Sequence, residues 1–142
     1  MKKLVPVLCI CILAMIFTSC GNNEIKIEDY QWQLRTAMSL EKDGLVFAVG
    51  EETEAYPGAE VIDVVLTAKD GELIIKDKTN NETYKGAYEE MYVTPNSEDY
   101  KIIIEGEDGY ATVAYTTYDD GTKELTLPIT VGGYDLYFYV NN

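Results

Sequence analysis

The feature that most restricts this chain is a recurring alternation of short β-prone runs with tight-turn residues. Lys69-Asp70-Gly71, Asn80-Asn81, Glu107-Asp108-Gly109, Asp119-Asp120-Gly121 and Gly132-Gly133 separate runs rich in Val, Ile, Tyr and Thr. Asp, Asn and Gly tolerate the positive φ that hairpin turns need, while β-branched and aromatic side chains fit a pleated sheet. After Asp29 no segment keeps a sustained helical apolar period. Strands are expected near Gln31–Ser39, Glu60–Ala68, Glu72–Lys76, Glu82–Glu90, Tyr100–Glu105, Tyr110–Tyr118, Lys123–Val131 and Tyr134–Val140. Leu45–Val49 would add a ninth strand or a short helix. Strands joined this tightly are most simply antiparallel neighbours.

Side chains alternate across a strand, so the pattern also assigns an inner face. Ile62, Val64 and Leu66 share one face, as do Tyr84, Gly86 and Tyr88, then Tyr100, Ile102 and Ile104, then Leu125, Leu127 and Ile129, then Leu136, Phe138 and Val140. One apolar face per strand suits a sheet curled onto its own core, and closing it removes exposed edges. The expected fold is all-β: an antiparallel, up-and-down, eight-stranded barrel. Pro128 falls inside a strand without an N–H to donate, so a bulge or local edge is expected there.

The N-terminus has a different character. Met1-Lys2-Lys3 precedes an uncharged apolar run from Leu4 to Phe17, too short to span a bilayer comfortably and interrupted by Pro6. This is a signal-peptide profile. Thr18-Ser19-Cys20-Gly21 then resembles the lipobox of bacterial lipoproteins, which implies cleavage before Cys20, acyl chains on its thiol and durable membrane anchoring. The missing Asp after the cysteine favours the outer membrane. Residues 1–19 are thus expected to be a signal peptide, 20–29 a lipidated polar tether, and 30–142 one barrel domain. Cys9 and Cys11 lie in the removed segment, so no internal disulfide is available to the rest.

Charge and composition narrow the function. The net charge is −14 and becomes more negative once Lys2 and Lys3 leave with the signal. That excess opposes nucleic acid, whose affinity rests on Lys and Arg neutralising phosphates, and it opposes anionic headgroups. With no His in the chain, Ser–His catalysis, a Cys20 nucleophile with its usual base, and common zinc sites are all disfavoured. Asp119-Asp120-Gly121 and the acidic stretch Glu105–Gly109 lack the ligand spacing of a calcium loop and read as hairpin turns. No pair of carboxylates is placed for glycoside hydrolysis, so a glycosidase is a distant alternative. The expectation is a non-enzyme without metal or cofactor.

Trp32 in "YQWQL", the later "NETYKGAYEE", and the terminal "YATVAYTTYDDGTKELTLPITVGGYDLYFYV" together resemble the small lipocalin-like lipoprotein domains of Bacteroides-type bacteria. The resemblance covers about residues 30–142. It implies that Trp32 plugs one end of the barrel and that Gly86 marks a sharply bent strand. It also makes Leu45–Gly58 an insertion or elaborated loop.

Twelve Tyr are the strongest functional hint, because Tyr offers a stackable face and a hydroxyl. Tyr84, Tyr88, Tyr100, Tyr137 and Tyr139 are the candidate contacts to a ligand or partner. Tyr137 and Tyr139 lie opposite Leu136 and Phe138, so inward packing of that pair would leave them as an exposed stripe, with Tyr115 beside it. Two functions follow: a barrel that binds a small hydrophobic or amphipathic ligand, or a filled barrel that serves an envelope complex through its surface. Eight strands permit either.

Overall fold

A computed structural model describes residues 25–140. Cys20 and the segment expected to be a signal peptide lie outside those residues. The strands are β1 (Trp32–Ser39), β2 (Leu45–Val49), β3 (Glu60–Val61), β4 (Val64–Lys69), β5 (Glu72–Asp77), β6 (Glu82–Thr94), β7 (Ser97–Ile104), β8 (Glu107–Thr117), β9 (Lys123–Val131) and β10 (Tyr134–Tyr139). β4 to β10 pair consecutively and antiparallel, and β10 pairs with β1, which pairs with β4. The result is a closed, eight-stranded antiparallel barrel, compatible with a calycin-like fold.

β2 and β3 are additions to that barrel, and their position matters. The lower half of β1 pairs with β4 through Trp32↔Leu66 and Gln33↔Val65. Its upper half pairs with β2 instead, from Thr36↔Val49 to Ser39↔Leu45, and β2 carries β3 as a parallel neighbour. β2 therefore wedges into the seam between β1 and β4 at one end only, and the wall is wider there. The expected ninth element is thus a strand of the wall.

Three bulges adjust which residues face inward. Pairing slips once between β1 and β10 with Arg35 as the extra residue, once between β1 and β2 with Phe47, and once between β6 and β7 with Met91. A bulge sets two residues against one and resets the alternation. Trp32 and Leu34 point inward, Arg35 is displaced outward, and Ala37 and Ser39 resume the inward face. Gly50 is required where β2 meets the first bulge. Its N–H donates to Arg35 O at 2.9 Å, and a Cβ there would lie 1.8 Å from Leu34 O. Gly86 is likewise pressed against backbone, since a Cβ would lie 2.2 Å from Ile103 O.

At Pro128 the structure shows the local edge, not the bulge, of the two outcomes expected. The β8–β9 ladder runs to Ala111↔Ile129 and resumes at Ala114↔Thr126 in the same register, so the strands lose pairing around Pro128 without a bulge. Its missing donor removes a rung, and the flanking rungs are sufficient to keep the strands aligned.

The inward face forms a single apolar core of aliphatic side chains with Trp32, Tyr100 and Phe138. Ile27 joins it from a 3-10 turn at Ile27–Asp29, where a polar tether was expected. Ile27, with Ile25 half-buried against the same core, folds that polar stretch back under the barrel.

Candidate ligand-binding site

The two ends of the barrel are built from different chemistry. At the closed end, the 3-10 turn lies across the opening and interior side chains hold it. Ile27 N donates to Tyr100 Oη at 3.1 Å, and Trp32 Nε1 donates to Ile27 O at 2.8 Å. Both main-chain groups of a buried residue are thereby satisfied. Tyr88 Oη donates to Glu28 at 2.8 Å and packs edge-on against Tyr100, with ring centroids 5.6 Å apart. Tyr30 meets Trp32 in the same manner at 5.7 Å. Tyr88 and Tyr100 therefore belong to the floor of the barrel.

Above this floor the interior opens into a cavity of about 760 Å³. Its wall includes Leu34, Ala37, Val64, Ile75, Ile104 and Phe138, contributed by strands all around the barrel. That volume lies within the range of about 300 to 1,000 Å³ typical of small-molecule sites. The cavity exists because the inward residues of the upper half are small or short, with Ala37, Ser39, Ala48 and Val64 facing across it. The extra strand β2 also widens the wall at this level.

The mouth is aromatic and acidic. Phe47 and Tyr134 meet edge-to-face with centroids 5.8 Å apart and remain 41% and 47% exposed. Tyr84 stands on the opposite wall and donates a hydrogen bond to Glu82, which holds its phenol up to about 12. Asp77 is buried, yet hydrogen bonds from the side chain and backbone of Asn80 outweigh the cost of burial and hold its carboxyl below the usual range. It remains ionised at neutral pH.

The outer wall holds a second depression of about 420 Å³, lined in part by Tyr30, Tyr115, Tyr118 and Tyr139. The exposed Tyr137–Tyr139 stripe is corrected here: Tyr139 is only 8% exposed, and Tyr137 is half-buried. Arg35, turned outward by its bulge, lies over the Tyr139 ring with Cζ 4.1 Å from the centroid. Its guanidinium donates to both oxygens of Glu124 at 2.6 and 2.7 Å and to Tyr118 Oη at 3.0 Å. Against the cost of burial, the bonds from Arg35 and Tyr118 pull the Glu124 carboxyl below its ordinary value. These charges satisfy each other, so this wall offers a ligand little unpaired polarity. Tyr115 stays exposed beside it.

Sequence reasoning missed one charged group in the interior. Glu98 is 1% exposed in the inward register of Tyr100 and Ile102, and neither carboxylate oxygen meets a hydrogen bond among the described residues. Burial pushes its carboxyl up to about 7, assisted by Glu90 and opposed by Tyr100 and Lys26. Extending the Tyr100–Ile102–Ile104 alternation back by two residues would have flagged it.

Among the described residues there is no group of three or more Cys, Asp or Glu that could hold a metal ion, and no helix is long and apolar enough to cross a membrane. No family model, curated protein or solved structure matches the chain. The functional reading therefore rests on the barrel and its cavity.

Proposed function

We propose that this protein is a lipid-anchored envelope lipoprotein whose barrel binds a small hydrophobic or amphipathic molecule in its open half. The observation that carries the reading is the apolar cavity of about 760 Å³ above a sealed floor. A barrel serving only as a surface would gain stability by filling that space, since packed interiors exclude voids larger than a water molecule. The anchoring part rests on the Thr18-Ser19-Cys20-Gly21 lipobox and the short apolar run before it, and it favours the outer membrane. The absence of His supports a non-catalytic role, and the acidic surface argues against nucleic acid.

Binding of 1-decanol, followed by calorimetry on residues 25–140, tests the cavity. Leu136→Trp and Ile104→Trp place a large ring in the open half and are expected to abolish binding while the variants keep a cooperative melt. Tyr110→Ala and Tyr115→Ala, on the outer wall, are expected to leave it unchanged. Equal binding by the filled variants would overturn the reading. Anchoring is tested separately by labelled palmitate, which Cys20→Ala should fail to incorporate.

A further inference from the structure

The charge of the cavity mouth identifies the class of ligand more narrowly. Six carboxylates line it, from Glu41, Glu60, Asp77, Glu82, Glu105 and Glu107, against one basic side chain, Lys42. Their identified partners are neutral: Asp77 accepts from Asn80, Glu82 from the Tyr84 hydroxyl, and Glu105 Oε1 from the Lys85 backbone N–H at 2.8 Å. The ion pairs formed between described residues, Arg35–Glu124, Lys78–Asp63 and Lys101–Asp108, include none of the six. The mouth therefore carries uncompensated negative charge around a low-dielectric cavity, an arrangement that focuses field and concentrates cations.

The aromatic residues at the same level provide an independent indication. Phe47, Tyr84 and Tyr134 hold rings at the mouth, each exposed by more than a third. A ring face attracts an ammonium group, and more so near a site that excludes water. Below them the wall is mainly aliphatic, with the Phe138 ring and the small Ser39 hydroxyl as its exceptions, and it offers no charge to a polar body. An apolar shaft with carboxylates and ring faces only at the top is complementary to one shape of molecule.

We infer that the ligand of this cavity is a cationic amphiphile, with its hydrocarbon part in the barrel and an ammonium-type head group among the acidic and aromatic residues of the mouth. This inference rests on the cavity-binding reading and adds the sign of the head group. An anionic amphiphile such as a fatty acid would place its carboxylate among six others and be repelled.

The test compares decyltrimethylammonium, 1-decanol and decyl sulfate, all below micelle formation, by calorimetry at low and high salt. The cation is expected to bind at least tenfold more tightly than the sulfate at low salt, with the gap narrowing at high salt as screening shortens the reach of the carboxylates. The triple variant Glu82→Gln, Glu105→Gln, Glu107→Gln keeps the hydrogen-bond acceptors and should lose most of that preference while binding decanol as before. A control triple at the other end and outer wall, Glu72→Gln, Glu89→Gln, Asp119→Asn, removes equal charge and should keep it. If the rim triple does not fold, Glu107→Lys alone, at an exposed strand end, should lower the preference at least threefold. Decanol binding without a preference for the cation, or a preference lost equally in the control triple, overturns the inference and leaves the cavity reading standing. No binding of any of the three overturns both.

Discussion

The closed and open ends of this barrel share the same strands yet solve opposite problems. At the closed end, large side chains meet: Trp32, Tyr88 and Tyr100 fill the section, and each of them hydrogen-bonds the 3-10 turn. At the open end the same strands present Ala37, Ser39 and Val64, and the added strand β2 contributes Ala48 and widens the wall. One end spends its apolar residues on stability, while the other leaves apolar surface uncovered. A protein stabilised mainly from one end can tolerate a hollow at the other, because burial below supplies what the cavity forgoes.

The contrast is open to direct attack, and the largest effect is expected at the floor. Trp32→Ala removes a fully buried ring and its bond to Ile27 O, and should cost about 3 to 5 kcal/mol in urea unfolding. A loss below about 1 kcal/mol would mean that the floor is not where stability resides.

Glu98 comes next, as a charge in the floor that favours unfolding at neutral pH. Its folded-state pKa of about 7 lies above the ordinary 4.5, so between these values the folded protein binds more protons than the unfolded chain. The stability linked to this group is complete below the unfolded value and is lost as pH rises through about 7. Glu98→Gln should therefore stabilise the protein at pH 8 by about 1 to 3 kcal/mol and flatten this part of the pH profile. Glu90, Tyr100 and Lys26 act on the same group, so Glu90→Gln should shift the transition to lower pH without removing it.

A smaller effect tests the latch alone. Tyr100→Phe keeps the ring and its packing on Tyr88 but removes the acceptor for Ile27 N, and should cost about 1 to 2 kcal/mol. Increased hydrogen exchange confined to the 3-10 turn would sharpen the assignment. The smallest change is expected at the mouth: Phe47→Ala and Tyr134→Ala, both exposed, should stay within about 0.5 kcal/mol of the parent while weakening cationic probe binding. A mouth substitution as costly as Trp32→Ala would erase the distinction between the two ends.

Much of the barrel was legible because its signals are local. β9 was expected at Lys123–Val131 and occupies Lys123–Val131, since turn residues bound it on both sides and Leu125, Leu127 and Ile129 alternate without a break. β7 was expected from Tyr100 and begins at Ser97, because Ser97, Glu98 and Asp99 have weak strand propensity and are held by pairing with β6 and β8. Of the five candidate Tyr, Tyr84 lines the mouth, Tyr88 and Tyr100 form the floor, and Tyr137 and Tyr139 lie on the outer wall. Residue type identified aromatic positions, but height along the barrel and neighbours across it depend on pairing with distant strands.

By itself the sequence determined the eight barrel strands, their hairpin order and most of their inner faces, because turn propensity and two-residue alternation act within a few residues; it did not separate β3 from β4 within Glu60–Ala68. Only the tertiary structure decided that the lower half is filled and the upper half hollow. That outcome depends on the summed volumes of side chains brought together from strands far apart in the chain. The bulges at Arg35, Phe47 and Met91 were decided in the same way, because a one-residue slip is set by how strands fit around a closed ring. So was the gathering of six carboxylates and three aromatic rings at one mouth, where residues from Glu41 to Tyr134 meet only once the barrel has closed.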